Sequence, residues 1–285
     1  MRIITRKKGN KEYFYLQHSY REGGKSITRE KYLGKIIPDD IEVIKSKFKK
    51  ECNRQLYQKL ESIKSQFQQE WEKLPKSMKE KELEEIAIAF TYNTNAIEGS
   101  TITLEETREI VHNRIAPNKE LNEIKETEEH NKVFLKLLKK KEKLTKKLLL
   151  RWHEDVFKFT KEDVAGKFRD YLVRIGPYVA PDWQEVMGRM NEFVKFIDKN
   201  KQMNPVELSA RAHYRFEIIH PFGDGNGRIG RLLMNHLLWH AGYPMLIIEY
   251  KKRASYYKAF TQDEEHFVNY YFRRYLSIHK KRIKL

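Results

Sequence analysis

With 285 residues, 40% of them hydrophobic and 34% charged, the chain is long enough for one large domain or a main domain with a small appendage, and it can fill a core. No stretch approaches the roughly 20 apolar residues of a membrane span, so no membrane partner is expected and the expected location is the cytoplasm. The single cysteine excludes an internal disulfide or a thiolate metal cluster. The net charge of +17 gathers at the ends, with 14 basic against 6 acidic side chains in residues 1–50 and 10 against 3 in residues 250–285. Basic ends on a balanced middle fit a solvated surface or a contact with an acidic partner.

Residues 11–17 and 25–33 are rich in aromatic and β-branched side chains and are separated by Arg21-Glu22-Gly23-Gly24, which predicts a β-hairpin, with residues 2–6 as a candidate third strand. This unit, over residues 1–40, is too small to bury much alone and is expected to lean on helices. Apolar residues then recur by threes and fours through Ile41, Ile44, Phe48, Cys52, Leu56, Leu60, Ile63, Phe67, Trp71 and Leu74, which predicts one long amphipathic helix over 41–75. Such a stripe makes a homodimer seam, packs on its own domain or serves as a linker helix, and on it Cys52 reads as a core residue.

Residues 76–285 read as one helical domain. Thr103-Leu104-Glu105-Glu106 has the form of a capping box, and helices are predicted at about 121–139, 145–158, 183–199, 205–219, 227–241 and 264–279. The exception is 171–181, whose apolar alternation around Gly176-Pro177 predicts a short hairpin. The expected fold class is mainly α, with a small N-terminal β unit, a long helix and a short hairpin within the helical domain.

Chemistry concentrates in residues 220–231, His-Pro-Phe-Gly-Asp-Gly-Asn-Gly-Arg-Ile-Gly-Arg. Gly223, Gly225 and Gly227 let backbone N–H groups converge on an anion, and the following helix adds the positive end of its dipole. Arg228 and Arg231, three apart, present forked cations from one helix face, as a polyphosphate needs. Asp224 supplies a carboxylate for Mg²⁺, and His220 an imidazole that can take a proton near neutrality. A base, a metal ligand, an anion nest and two phosphate clamps are the requirements of phosphoryl or nucleotidyl transfer.

The segment resembles the Fic-family pattern His-Pro-Phe-x-Asp/Glu-Gly-Asn-Gly-Arg-x-x-Arg at every fixed position, and residues from about 85 to 280 look like that family's helical domain. The resemblance implies a protein adenylyltransferase that moves AMP from Mg·ATP onto a Tyr, Thr or Ser hydroxyl of a target protein, with self-modification as a further outcome. It implies His220 as general base and Asp224 as Mg²⁺ ligand. Asn226 and the amides at Gly225 and Gly227 would hold the α-phosphate, Arg228 and Arg231 would clamp the β- and γ-phosphates, and Phe222 would anchor the loop. Gly166-Lys167-Phe168-Arg169 and the 171–181 hairpin are similar to the family's flap, which implies target docking by main-chain pairing along Val173, Arg174, Ile175 and Gly176.

Thr94-Asn95-Ala96-Ile97-Glu98-Gly99 resembles the family's inhibitory pattern, so Thr94, Glu98 and Gly99 are inhibitory candidates. Glu98 is expected to pair with Arg231 and to compete for the donors a γ-phosphate needs. Removal of AMP from modified targets, or use of another nucleotide, is the enzyme alternative. The basic N-terminal hairpin, with Tyr13, Phe14 and Tyr15 available to stack on bases, leaves a nucleic-acid-binding protein as the alternative of another class. His236 and His240 lie four apart, a spacing that can bind metal, but packing is the expected role. Tyr256-Tyr257 after Arg253 resembles the family's nucleotide-pocket region, with core filling as the competing reading.

Overall fold

The computed structural model describes residues 1–22, 25–176 and 178–284, with only the backbone for residues 20–22 and 25–26. Gly23-Gly24 of the first predicted turn and Pro177 of the second lie outside the described residues. The chain divides into two compact units between Ser62 and Ile63.

The first unit begins with an antiparallel meander of β1 (Arg2–Lys8), β2 (Lys11–Glu22) and β3 (Lys25–Gly34), in the order β1-β2-β3. Gly9, at φ 61°, allows the two-residue reversal that pairs Lys8 with Lys11. The period of two sends Leu16 to one face, where it is packed with Ile3 and Leu33 against Ile44, Phe48 and Cys52 of α1 (Ile41–Cys52). Burial there raises the Cys52 thiol pKa, in keeping with a packing role. On the other face Tyr32 stacks between Tyr13 and Tyr15 at ring distances of 6.2 and 5.3 Å.

The predicted helix over 41–75 is not continuous. Asn53, at φ −95° and ψ 14°, separates α1 from α2 (Arg54–Lys73). The bonds from Asn53 N to Lys49 O and from Tyr57 N to Asn53 O, both 2.9 Å, carry the ladder across it, so the interruption is local. Asparagine competes for backbone partners in helix interiors, a weakness that a count of apolar positions does not register.

The second unit holds α3 (Lys76–Ile97), α4 (Leu104–Arg108), α5 (Leu121–Lys139), α6 (Lys146–Phe157), the short strands β4 (Arg174–Ile175) and β5 (Tyr178–Val179), α7 (Trp183–Lys199), α8 (Pro205–Ile219), α9 (Asn226–Trp239), α10 (Arg253–Phe260) and α11 (Glu264–Ile278). The capping box forms, with Glu106 N donating to Thr103 Oγ1 at 3.2 Å and Thr103 N to Glu106 Oε2 at 2.8 Å. Helix α4 then widens into one π turn, Glu109–Asn113. A single core joins α3, α5, α6, α7, α8 and α9 through Phe90, Phe134, Leu149, Met190, Phe216 and Leu232. Each such side chain contributes about 1.5–3 kcal/mol on burial. Among the described residues no helix is long and apolar enough to cross a membrane.

Candidate active site

Helix α8 is started by Asn204, whose Oδ1 accepts from Val206 N at 3.0 Å, with Pro205 in the first turn. It is stopped by His220, which turns left-handed at φ 49° while its N–H still bonds Phe216 O at 2.9 Å. A non-glycine residue in that region is strained and must be held. Arg169 holds it: Nε donates to His220 O at 2.8 Å and the Arg169 N–H to Pro221 O at 2.9 Å. The same guanidinium donates to Tyr171 O at 2.9 Å and Pro181 O at 2.6 Å, so one buried side chain ties the flap's two ends to the loop. The flap is small, with β4 and β5 paired as Arg174 with Val179 and Ile175 with Tyr178, and Tyr178 OH donates to Ile218 O at 2.9 Å beside His220. Val173 O accepts from Ala180 N at 3.1 Å, Gly176 turns at φ 57°, and the side chains of Arg174 and Ile175 are exposed.

Phe222 is fully buried and stacks on His153 at a ring distance of 3.9 Å. Gly166 N donates to His153 Nδ1 at 3.0 Å, so Nε2 carries the proton and donates to Asp224 O, also at 3.0 Å. Burial depresses the His153 pKa to about 4, which keeps the ring neutral. The side chain of Asn226, expected to hold an α-phosphate, instead closes the loop: Oδ1 accepts from Phe222 N and Nδ2 donates to Phe222 O, both at 2.8 Å. Its second Nδ2 hydrogen and the backbone amides at the start of α9 remain for an anion. Gly225 caps α9 at φ 76°, where a Cβ would also strike the Phe157 ring.

Two charge clusters flank the loop. Arg228, expected as a phosphate clamp, pairs with Glu126 of α5 and lies over the Phe157 ring at 4.3 Å. Lys161 bridges Glu126 at 2.9 Å and Asp224 at 2.6 Å. Burial pushes the Glu126 and Asp224 carboxyls up, but Arg228 and Lys161 outweigh it and hold both below the ordinary range. On the other side Arg231, 1% exposed, donates from Nε to Thr94 Oγ1 at 2.6 Å and from Nη2 to Thr94 O at 3.1 Å. Nη2 also meets Glu98 Oε1 at 2.5 Å, the pairing expected from the Thr94–Gly99 segment. Glu98 caps the C-terminus of α3, and Gly99, at φ 98°, leads the chain away. Gly227 makes the pairing sterically open, since a Cβ there would collide with the Glu98 carboxylate.

His220 itself is buried enough that its pKa falls to about 4. Its Nδ1 lies 3.3 Å from Glu217 O, and only an N–H satisfies a carbonyl, so Nδ1 carries the proton and Nε2 the free lone pair. The result is a neutral imidazole in the tautomer a general base requires. His236 and His240 direct Nε2 at the carbonyls of Glu142 and Leu137, at 2.9 and 2.8 Å, and so pack rather than ligate; no group of three metal-ligating side chains occurs among the described residues.

Residues 143–238 match the model of the Fic/DOC family. The chain carries a Fic domain. Over 178 residues it is 37% identical to the protein adenylyltransferase Fic of Nematostella vectensis, an alignment that covers 60% of this chain and 42% of that protein. The chain thus spans less than half the length of the curated relatives it matches. A Fic domain containing signaling protein from Bacteroides thetaiotaomicron superposes with a TM-score of 0.69 at 24% identity, over 81% of this chain and 95% of its own. Residues 134–508 of Fic-1 from C. elegans give a TM-score of 0.69 at 24% identity, over 86% and 76%. At that identity these likenesses establish the fold.

Around this Fic segment, several residues that build the site left no mark in the sequence. Glu126, His153 and Lys161 come from α5, α6 and the turn after α6, far from the loop in sequence, and pairing across helices leaves no local pattern. Arg169 was visible only as part of the flap segment. Glu217 could have been found, because it lies three residues before His220, a spacing that keeps helical side chains together.

Proposed function

We propose that this chain transfers AMP from Mg·ATP to a Tyr, Thr or Ser hydroxyl of a target protein, and that Glu98 restrains it. One juxtaposition carries the reading: a neutral, tautomer-fixed His220 stands beside a helix N-terminus whose innermost arginine, Arg231, is already held by a carboxylate. The shared name of the relatives, protein adenylyltransferase, supports AMP as the group moved.

The target hydroxyl gives its proton to His220 Nε2 while its oxygen attacks the α-phosphorus, and pyrophosphate departs. The amides at Gly225 to Arg228 and the α9 dipole hold the developing charge. The exposed Asp224 carboxylate fits Mg²⁺, which takes one or two carboxylates along with substrate phosphates and would neutralise their charge. Lys161 balances Asp224 meanwhile. The Val173–Gly176 edge would align a target strand through its main chain.

Restraint follows from space as well as charge. The cavity between Glu98, Glu126, Lys161, Asp224 and Arg228 measures about 220 Å³, below the ~300–1,000 Å³ of common small-molecule sites. A γ-phosphate on Arg231 must displace Glu98. The test is mass spectrometry after incubation of the unmutated chain and Glu98→Gly with separate nucleotides. The expected result is an added AMP mass, increased about 10- to 100-fold in the variant, the equivalent of one charge-assisted hydrogen bond. An unchanged or lower yield refutes restraint, and another added mass refutes AMP. AMP removal is the second reading, favoured by a Glu98 side chain that is 29% exposed and faces the same cavity. Release of AMP from a modified target with Mg²⁺ and no ATP, lost in Glu98→Gly, would establish that direction.

A further inference from the structure

Glu217, in the last turn of α8, has no part in the reaction as described so far. Its side chain is 14% exposed, and its Oε1 is sealed from solvent with no hydrogen-bond partner among the described residues. Oε1 lies 3.8 Å from His213 Nδ1, which is also sealed from solvent and lies beside the backbone of Gly230, and Oε2 lies 3.9 Å from His220 Nδ1. A carboxyl is thus set between two imidazoles, one of them the proposed base.

The surroundings are built to keep it there. Tyr256 OH accepts from Arg231 Nη1 at 3.4 Å and lies 2.7 Å from His213 Nε2. If the phenol donates onward, His213 keeps its proton on Nδ1, aimed at Glu217 Oε1. Gly230 of α9 opens the space: a Cβ there would collide with the Glu217 carboxyl and come within 2.9 Å of His213 Nδ1. The second glycine of Gly-Arg-Ile-Gly-Arg therefore has a reason separate from the phosphate loop.

We infer that Glu217 is a positioning residue acting through His220: its carboxylate stands behind the imidazole and balances the positive charge that appears when Nε2 accepts the target's proton. The inference rests on the transfer reaction proposed above. In that step the hydroxyl O–H bond breaks and its proton goes to His220 Nε2. The oxygen–phosphorus bond forms, and the bond to pyrophosphate breaks with its electron pair. No proton passes through Glu217.

Burial makes the resting His220 a poor base, since it holds the pKa near 4. Glu217 is shifted the other way: burial raises its pKa to about 8, with Arg231 of α9 pulling it down and Glu98 of α3 pushing it up. The other groups facing this pair are His213 on α8, Tyr256 and Tyr257 on α10, Arg169 behind the loop, and Asp224. At neutral pH the resting pair is a protonated Glu217 with a neutral His220. The working form has one proton fewer, so activity grows with pH as Glu217 ionises.

The test uses the full chain. The ¹⁵N imidazole signals of His220, assigned by their loss in His220→Ala, should report a titration near pH 8 that disappears in Glu217→Gln. A His220 signal that stays flat between pH 6 and 9 in the unmutated chain overturns the inference, as does a titration that persists in the Gln variant. This readout holds even if the chain transfers no nucleotide, so the two proposals fail separately. In a Glu98→Gly background, Glu217→Gln should lower kcat at pH 8 about 10- to 100-fold, leave the KM for ATP within about twofold, and abolish the basic rise of the pH profile. An unchanged kcat, or a loss confined to KM, overturns it.

Discussion

The two units place their charges differently. In the first, no Lys, Arg, Asp or Glu among the described residues is buried; Leu16, Phe48, Cys52 and Leu60 are, with the uncharged polar groups of His18 and Asn53, while Arg6 and Glu30 pair on the surface at 2.8 Å with Arg6 57% exposed. In the second, Arg231, Arg228, His153 and His213 are buried against aromatic rings and Arg169 against backbone carbonyls. An exposed pair stabilises by ~0–1 kcal/mol, whereas a buried charge stripped of its partner costs ~3–5 kcal/mol. The sheet unit therefore follows the ordinary rule of apolar inside and charged outside. The second unit departs from that rule around one loop, and the departure marks where chemistry is expected.

The largest effect expected from this contrast is on activity. His220→Ala should lower AMP transfer by about 100- to 10,000-fold, since that is the range of general-base catalysis. Thermal unfolding should move little, because among the described residues the ring makes one weak hydrogen bond, to Glu217 O. Retained transfer, measured with labelled ATP in the Glu98→Gly background, would remove the imidazole from the reaction.

Acid comes next. Burial holds His153, His220, His236 and His279 at about 4 and His213 at about 3, all below the ordinary value near 6.5. Between those limits the unfolded chain binds more protons than the folded one, so stability is complete above about pH 6.5 and is lost as pH falls towards 4. Glu217, raised to about 8, runs oppositely: protonated in the fold, it costs stability as pH rises from its ordinary value towards 8. Five histidines outweigh one carboxyl below pH 6.5, and together they should remove several kcal/mol, of order 1.4 per pKa unit shifted. Unfolding followed by calorimetry from pH 7 to 4.5 checks the sign; a melting temperature that holds or rises would contradict it.

How much of this was legible depended on distance along the chain. The loop from His220 to Arg231 could be read because its glycines, arginines and histidine are contiguous, and the pairing of Glu98 with Arg231 because the Thr94–Gly99 segment has a recognisable form. The helices at 121–139, 183–199 and 205–219 followed from apolar spacing and cap residues, and their observed bounds agree. What escaped was long-range: nothing near Arg228 in sequence announces its partner Glu126 on α5. The clasp of Asn226 on Phe222 was hidden because it exists only once the loop has closed. The break at Asn53 was hidden by an apolar stripe that continues through it, a pattern that records which face is buried and not whether the backbone is regular.

Smaller effects separate the loop's scaffold from the sheet's surface. Arg169→Ala removes three guanidinium hydrogen bonds to carbonyls of both flap and loop, and should cost about 2–4 kcal/mol in denaturant unfolding. Lysine cannot reach three carbonyls in the geometry of a planar fork, so Arg169→Lys should restore little. A full rescue by lysine would mean that charge alone matters there.

The smallest effect is the one the contrast needs as its control. Arg6 on the sheet bonds Glu30 at 2.8 Å and covers the Tyr15 ring at 5.2 Å, contacts as short as many in the Fic domain. Because water and salt reach them, Arg6→Ala should cost less than about 1 kcal/mol and should cost less still in high salt. If its loss instead matched that of Arg169→Ala in the same denaturant experiment, distance rather than burial would set the strength of these pairs. The distinction between a surface that tolerates its charges and a loop that depends on them would then fail.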